Sequence, residues 1–211
     1  MTISYSNDPH TSTTTYSIDP SEVRVSPRFR GFEEVAAKHK TYPENVEIKL
    51  PAKATKSSVG YDWYAPVDID IPPQTTVKIM TDIKAYMKDG EALILAPRSS
   101  TGIKHDLMIA NTLGIGESDF YENVDNDGNY CIALRNLRPE TKFLGFVNLR
   151  YKHLGCPMCI EIPDIEDLRK QNTVHIKAGD RIIQGFFIQT LPADSGDSEA
   201  VREGGVGSTG Q

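Results

Sequence analysis

Val67-Asp68-Ile69-Asp70-Ile71-Pro72-Pro73 alternates apolar and acidic residues and then stops at two prolines. Side chains along a strand point to opposite faces in turn, so this spelling describes a strand with one face on a core and the other in water. Proline donates no ladder hydrogen bond and ends it. Outward from here the pattern repeats. Val46-Glu47-Ile48-Lys49-Leu50 alternates in the same way, and 75–83 and 92–96 are short β-rich runs. Asn123-Val124-Asp125-Asn126-Asp127-Gly128 is a turn closed by Asp-Gly, and Tyr130-Cys131-Ile132-Ala133-Leu134 follows it as a strand. Residues 173–176 and 181–188 complete the set. Many short strands punctuated by Pro, Gly and Asp predict an all-β architecture, a sandwich, a barrel or a jelly roll. Only two places read as helix. Phe32, Val35 and Ala36 share a helical face within 31–38, and 164–170 suits one short turn after Pro163.

The chain has 211 residues, 38% hydrophobic and 25% charged, enough for one domain with a sizeable core. Three zones follow from composition. Residues 1–27 are rich in Ser, Thr, Asp and Pro without apolar periodicity and read as a mobile extension. Residues 28–192 form the β-rich domain, and 193–211 form a Gly- and Ser-rich mobile arm. A net charge of -6 with no basic run argues against sequence-independent nucleic-acid binding. The three cysteines, Cys131, Cys156 and Cys159, make no disulfide framework and point to a reducing compartment. No apolar run reaches the length of a membrane helix, and the polar N-terminus lacks a signal-peptide core. The chain therefore reads as soluble and cytoplasmic.

Several short segments suit phosphate chemistry, each with a plainer reading beside it. Pro97-Arg98-Ser99-Ser100-Thr101-Gly102 puts an arginine and hydroxyls at a strand end, fit to hold phosphate or to form a polar turn. Glu117-Ser118-Asp119 sets two carboxylates on one side of an extended segment, as a general base, a metal contact or a solvated edge. Gly179-Asp180-Arg181 suits a tight turn before the last strand. Gly204-Gly205-Val206-Gly207-Ser208-Thr209-Gly210 would let N–H groups and hydroxyls converge on a polyphosphate, or serve as a flexible tail; it lacks the Lys of a P-loop.

Taken in order, these segments and Gly60-Tyr61-Asp62, Asn111-Thr112-Leu113-Gly114 and Gln184 resemble the trimeric dUTPase family. The likeness runs from about Arg30 to Leu137 and resumes at Thr173, leaving the N-terminal extension and an insertion at 138–172 outside it. The resemblance implies an all-β, jelly-roll-like fold and a homotrimer that cleaves dUTP to dUMP and pyrophosphate with a magnesium ion. It implies that Asn111 and the hairpin it opens, with Gly114, read uracil through backbone groups. Phe120 replaces the family's Tyr and would pack on the deoxyribose, so Phe120→Ala is expected to loosen sugar preference more than it lowers stability. Glu117 takes the place of the Asp that activates water. Asp62 would orient hydrated Mg2+ through water. Arg98, Ser99, Ser100 and Gln184 would contact phosphates, and Arg202, Val206, Ser208 and Thr209 would close over the site from the arm.

The sequence departs from the family at Glu117, one methylene longer than Asp, at Gly116, where an aliphatic residue is usual, and at Val206, which replaces a Phe stacked on uracil. These departures keep a second function class open, a nucleotide-binding regulatory protein with little turnover, and a third, a pyrophosphatase for a modified deoxynucleotide. The related dCTP deaminases share the fold, but Ala133 stands where their general-base Glu aligns. His153, Cys156 and Cys159 suit part of a zinc site, a redox pair or ordinary thiols.

Overall fold

The computed structural model describes residues 2–5, 14–17, 28–140 and 165–196. In chain order the strands are β1 (Thr2–Tyr5), β2 (Thr14–Ser17), β3 (Gly31–Glu34), β4 (Ala52–Lys53), β5 (Tyr61–Tyr64), β6 (Ile69–Ile71), β7 (Thr76–Met80), β8 (Ile83–Tyr86) and β9 (Glu91–Pro97). Helix α1 (Ser99–His105) follows, then β10 (Leu107–Ile109), β11 (Gly114–Glu117), β12 (Cys131–Asn136), α2 (Ile165–Asn172), β13 (Val174–Ile176) and β14 (Arg181–Gln189). Every described ladder is antiparallel, so the all-β expectation holds.

The main sheet runs β11-β9-β14-β5-β4 and the second β10-β12-β7; β13-β6 and β3-β8 are two-stranded. β9 sits between β11 and β14, and Ala92 to Leu95 are buried without a break, as a central strand requires. β6 keeps its period: Ile71 is buried, Asp70 is exposed, and β13 repeats the alternation opposite it. The core gathers Trp63, Leu93, Ile71, Ile83, Leu134 and Ile183, all at 0–1% exposure.

The structure corrects three expectations. Residues 31–34 form β3, paired with β8, and only Ala37–His39 turns, as a 3-10 segment. Phe32 decides this by packing on Tyr61, Trp63 and Phe187 with ring centroids 5.3–5.5 Å away, a tertiary gain that overrides local spacing. No strand forms over 46–50; Ile48 packs against the core while the ladder begins at Ala52. Lastly, β10 and β11 do not make a ladder hairpin. β10 pairs with β12 and β11 with β9, so the Asn111 turn carries the chain from one sheet to the other.

The two ends of the 138–172 segment are tied together. Fully buried Asn136 donates to the Asn172 carbonyl at 2.9 Å, and Asn172 donates to the Pro139 carbonyl at 2.8 Å. The two ends of the excursion are thus fastened to each other and to β12.

Candidate active site

Asp62 on β5 faces Gln184 on β14, which faces Ala96 on β9. Directly opposed residues share a face, and Arg98, two positions past Ala96 in extended backbone, shares it too. Its guanidinium reaches back across the sheet, with Nε 2.8 Å from Asp62 Oδ1. Arg181 Nη1 stands 3.2 Å from the other oxygen, Oδ2.

Arg181 and Gln184 are three residues apart and in a regular strand would point to opposite faces. The β14–β5 register slips between Arg181 and Ile183, and that bulge changes the parity, bringing both side chains to Asp62. The turn before it is stitched to the end of β5. The Gly179 N–H donates to the Ala65 carbonyl at 2.8 Å, and the Ala65 N–H donates to the Asp180 carbonyl at 2.8 Å. Arg181, read from sequence as part of that turn, is therefore a member of the site that sequence reasoning missed. A bulge leaves no periodic signal to find it by.

Ala54, Ser58, Val59, Gly60, Asp62, Arg98, Ser99 and Gln184 line an open pocket of about 360 Å³. A Cβ at Gly60 would lie 2.9 Å from Gln184 Oε1, so a larger residue there would push the Gln184 side chain aside. A second cavity of about 380 Å³ also borders Arg98 and carries Ser100, His105, His175 and Arg181. The first is the better phosphate pocket, because four residues singled out in the sequence converge on it. Asp62 is 5% exposed and neutralises only one of its two guanidinium partners, so one positive charge is left over for an anion. Ser100 sits behind, accepting a long 3.5 Å contact from Arg98.

The remaining expected residues lie elsewhere. Glu117 pairs with Ala92 at the far end of β9, six residues from Arg98. At about 3.3 Å per residue that is roughly 20 Å along the sheet. Glu117 and Asp119 are exposed, as is Asn111. Gly114 lies opposite Leu95, and a Cβ there would crowd the Leu95 Cβ at 3.0 Å. Phe120 is 5% exposed and packs edge-to-face on Tyr130 with centroids 5.1 Å apart. Its ring is core, which reverses the expected order of effects for Phe120→Ala. Arg202, Val206, Ser208, Thr209, His153, Cys156 and Cys159 lie outside the described residues.

Among the described residues no group of three or more His, Cys, Asp or Glu side chains is placed to hold a metal. Asp62 alone nonetheless fits a hydrated magnesium that arrives with a triphosphate. Each of its oxygens has one arginine partner and keeps a lone pair for a metal-bound water.

A family model described as dUTPase matches residues 46–125, the stretch that holds Asp62, Arg98, Asn111, Glu117 and Phe120. The deoxyuridine 5′-triphosphate nucleotidohydrolase of Lactococcus lactis subsp. lactis (strain IL1403) is 32% identical over 185 residues, spanning 87% of this chain and 99% of that protein. The chain belongs to the dUTPase family. Among solved structures, the dUTPase from Streptococcus mutans is 27% identical with a TM-score of 0.55, covering 78% of this chain and 99% of that one. The dUTPase from phage phi11 of S. aureus is 17% identical with a TM-score of 0.54 over 82% of this chain and 97% of that one, a likeness of fold.

Proposed function

We propose that this chain is a dUTP diphosphatase that works as a homotrimer. Water attacks the α-phosphorus of dUTP, the bond to the bridging oxygen breaks, and dUMP and pyrophosphate leave. The convergence of Asp62, Arg98, Ser99 and Gln184 on one pocket, with Arg181 also on the Asp62 carboxylate, carries this reading. Arg98, Ser99 and Gln184 hold the phosphates there, with Ser100 supporting Arg98 from behind. Asp62 orients the waters of a magnesium ion, which when bound spreads the charge of the triphosphate. Glu117 takes the proton of the attacking water. The Asn111 turn and Gly114 read uracil through backbone groups, and Phe120 walls the sugar.

The trimer is supported by distance. One chain holds Glu117 roughly 20 Å from its own Arg98, far beyond the reach of a side chain, so the base comes from a second copy. The face between them is apolar and open: Ile115, opposite Ile94, is 65% exposed, and Ile188, opposite Ala92, is 38% exposed. The arm residues Arg202, Val206, Ser208 and Thr209 are assigned to a third copy's closure over the phosphates. Truncation after Ala200 should leave the trimer folded and cut turnover strongly. Cytoplasmic residence belongs to the same reading, supported by the low cysteine count.

The deciding experiment incubates the purified chain with Mg2+ and a panel of nucleoside triphosphates. Pyrophosphate release from dUTP in preference to UTP, dTTP and dCTP, abolished in Glu117→Gln, is the expected result. Tight dUTP binding without pyrophosphate release over hours would replace this reading with the nucleotide-binding one that Glu117 and Gly116 motivate.

A further inference from the structure

Gly116 and Glu117 are adjacent departures from the family pattern, and the fold joins them to a third residue. Strand alternation turns the 116 position inward, where it is buried, and Glu117 outward. The inward slot at 116 is occupied. A Cβ built on Gly116 would fall on the Tyr130 hydroxyl and lie 2.7 Å from its Cζ. Tyr130 thus fills, from another segment of the chain, the space that a side chain at 116 would take.

Tyr130 has little freedom to move. Its N–H donates to the Ile83 carbonyl at 3.0 Å, and its carbonyl accepts from the Thr81 N–H at 3.0 Å and the Thr81 hydroxyl at 2.9 Å. The ring is 6% exposed and sits edge-to-face between Trp63, centroids 5.5 Å apart, and Phe120, 5.1 Å apart. One rigid phenol therefore touches the chain on both sides of Glu117, at Gly116 just before it and at Phe120 three residues after. The path of 116–120 is set by the ring, and with it the place of the carboxylate.

We propose that Tyr130 is a positioning residue for Glu117: its phenol replaces the missing side chain at 116 and fixes the backbone from which the longer carboxylate arm reaches the attacking water. This rests on the assignment of Glu117 as the base. Trimming the phenol by one oxygen leaves β11 free to settle toward the gap, and a shift on the order of 1 Å at a catalytic group costs up to about 100-fold in rate.

The test is a cycle of Tyr130→Phe, Gly116→Ala and the double variant, read as kcat and KM for dUTP with Mg2+ and as thermal midpoint. Tyr130→Phe is expected to lower kcat about tenfold with KM unchanged. Gly116→Ala alone collides with the hydroxyl and lowers both kcat and thermal midpoint. In the double variant the contact with the hydroxyl is gone while the ring Cζ still lies 2.7 Å from the new methyl, so the combined loss of kcat is smaller than the product of the two single losses. A wild-type kcat in Tyr130→Phe, with only the thermal midpoint moved, would make the ring purely structural and overturn the proposal. Losses that simply add in the double variant overturn it as well. Glu117→Gln run alongside separates the layers. If it is inactive while Tyr130→Phe is unimpaired, only the Tyr130 proposal fails; if it is active, the base assignment beneath it fails too.

Discussion

Arg181 Nη1 holds Asp62 Oδ2 at 3.2 Å from outside the pocket that Asp62 lines: Arg181 borders the cavity of about 380 Å³ and does not border that pocket. Arg98, by contrast, borders both. When phosphates engage Arg98, Arg181 is the partner left to hold the Asp62 carboxylate. Arg181→Met should therefore act through the metal. We expect kcat to fall and the Mg2+ concentration for half-maximal rate to rise, each by about 10- to 100-fold, the usual effect of removing a group that orients a metal-site carboxylate. A magnesium titration of the variant checks this. An unchanged magnesium requirement would reduce Arg181 to a strut of the β14 bulge.

Because Glu117 and Arg98 of one chain lie roughly 20 Å apart, two dead variants should revive each other. Glu117→Gln and Arg98→Ala trimers are each expected to be inactive. Unfolded together and refolded as a mixture, they form sites that pair an intact Glu117 with an intact Arg98 from different copies. Dilution series of the two proteins should show activity rising with mixing and falling to zero for either alone. No recovery in verified mixed trimers would place both residues of a site on one chain and contradict the geometry.

Phe120 is buried in the core, packed on Tyr130. Phe120→Ala should cost about 3–5 kcal/mol, the range for emptying a buried aromatic position. Selectivity is better read in Phe120→Leu, which keeps most of the volume. Its ratio of dUTP to UTP turnover should narrow while the protein stays folded at 25 °C. Calorimetry with the kinetic ratio separates the effects.

How far the sequence carried this account depends on what kind of signal each residue leaves. β6 and β12 were legible because period-two alternation survives in sequence when one face is buried. Residues 46–50 alternate just as well and form no strand, since alternation reports burial and not a ladder partner. The segment 31–34 carried helical spacing, but Phe32 had aromatic neighbours 29 and more residues away that no window contains. In the site, Asp62, Arg98, Ser99 and Gln184 were legible as a set. Arg181 was hidden by a bulge, and the burial of Phe120 by Tyr130, ten residues on. The distance between Glu117 and Arg98 appears only once β11 is laid on β9.

The last prediction concerns pH and lies in the fastening of the 122–129 loop. Lys84, 7% exposed, reaches Asp127 at 3.1 Å and Glu122 at 3.1 Å, and the Ala36 N–H donates to Asp127 at 2.6 Å. Burial raises the Asp127 carboxyl, but the Ala36 N–H and Lys84 outweigh it and hold it below its ordinary value. Burial lowers Lys84, but Glu122 and Asp127 outweigh it and hold it above its ordinary value. The carboxylate's contribution is therefore complete above the ordinary Asp range and fades as pH falls through the lowered value. The ammonium's is complete below the ordinary Lys range and fades as pH rises through the raised one. Between them lies a plateau that spans neutral pH. Asp127→Asn leaves Lys84 with only Glu122, whose side chain is 58% exposed and contributes little. Breaking a largely buried pair costs about 3 kcal/mol, so the variant should lose that much at pH 7. It should also lose part of the acid slope, because its amide no longer titrates. Chemical unfolding of both proteins from about pH 7 to about pH 3 measures the gap, which should shrink toward the acid end. A gap constant across that range would mean that the carboxylate's charge adds nothing and that its hydrogen bonds alone hold the loop.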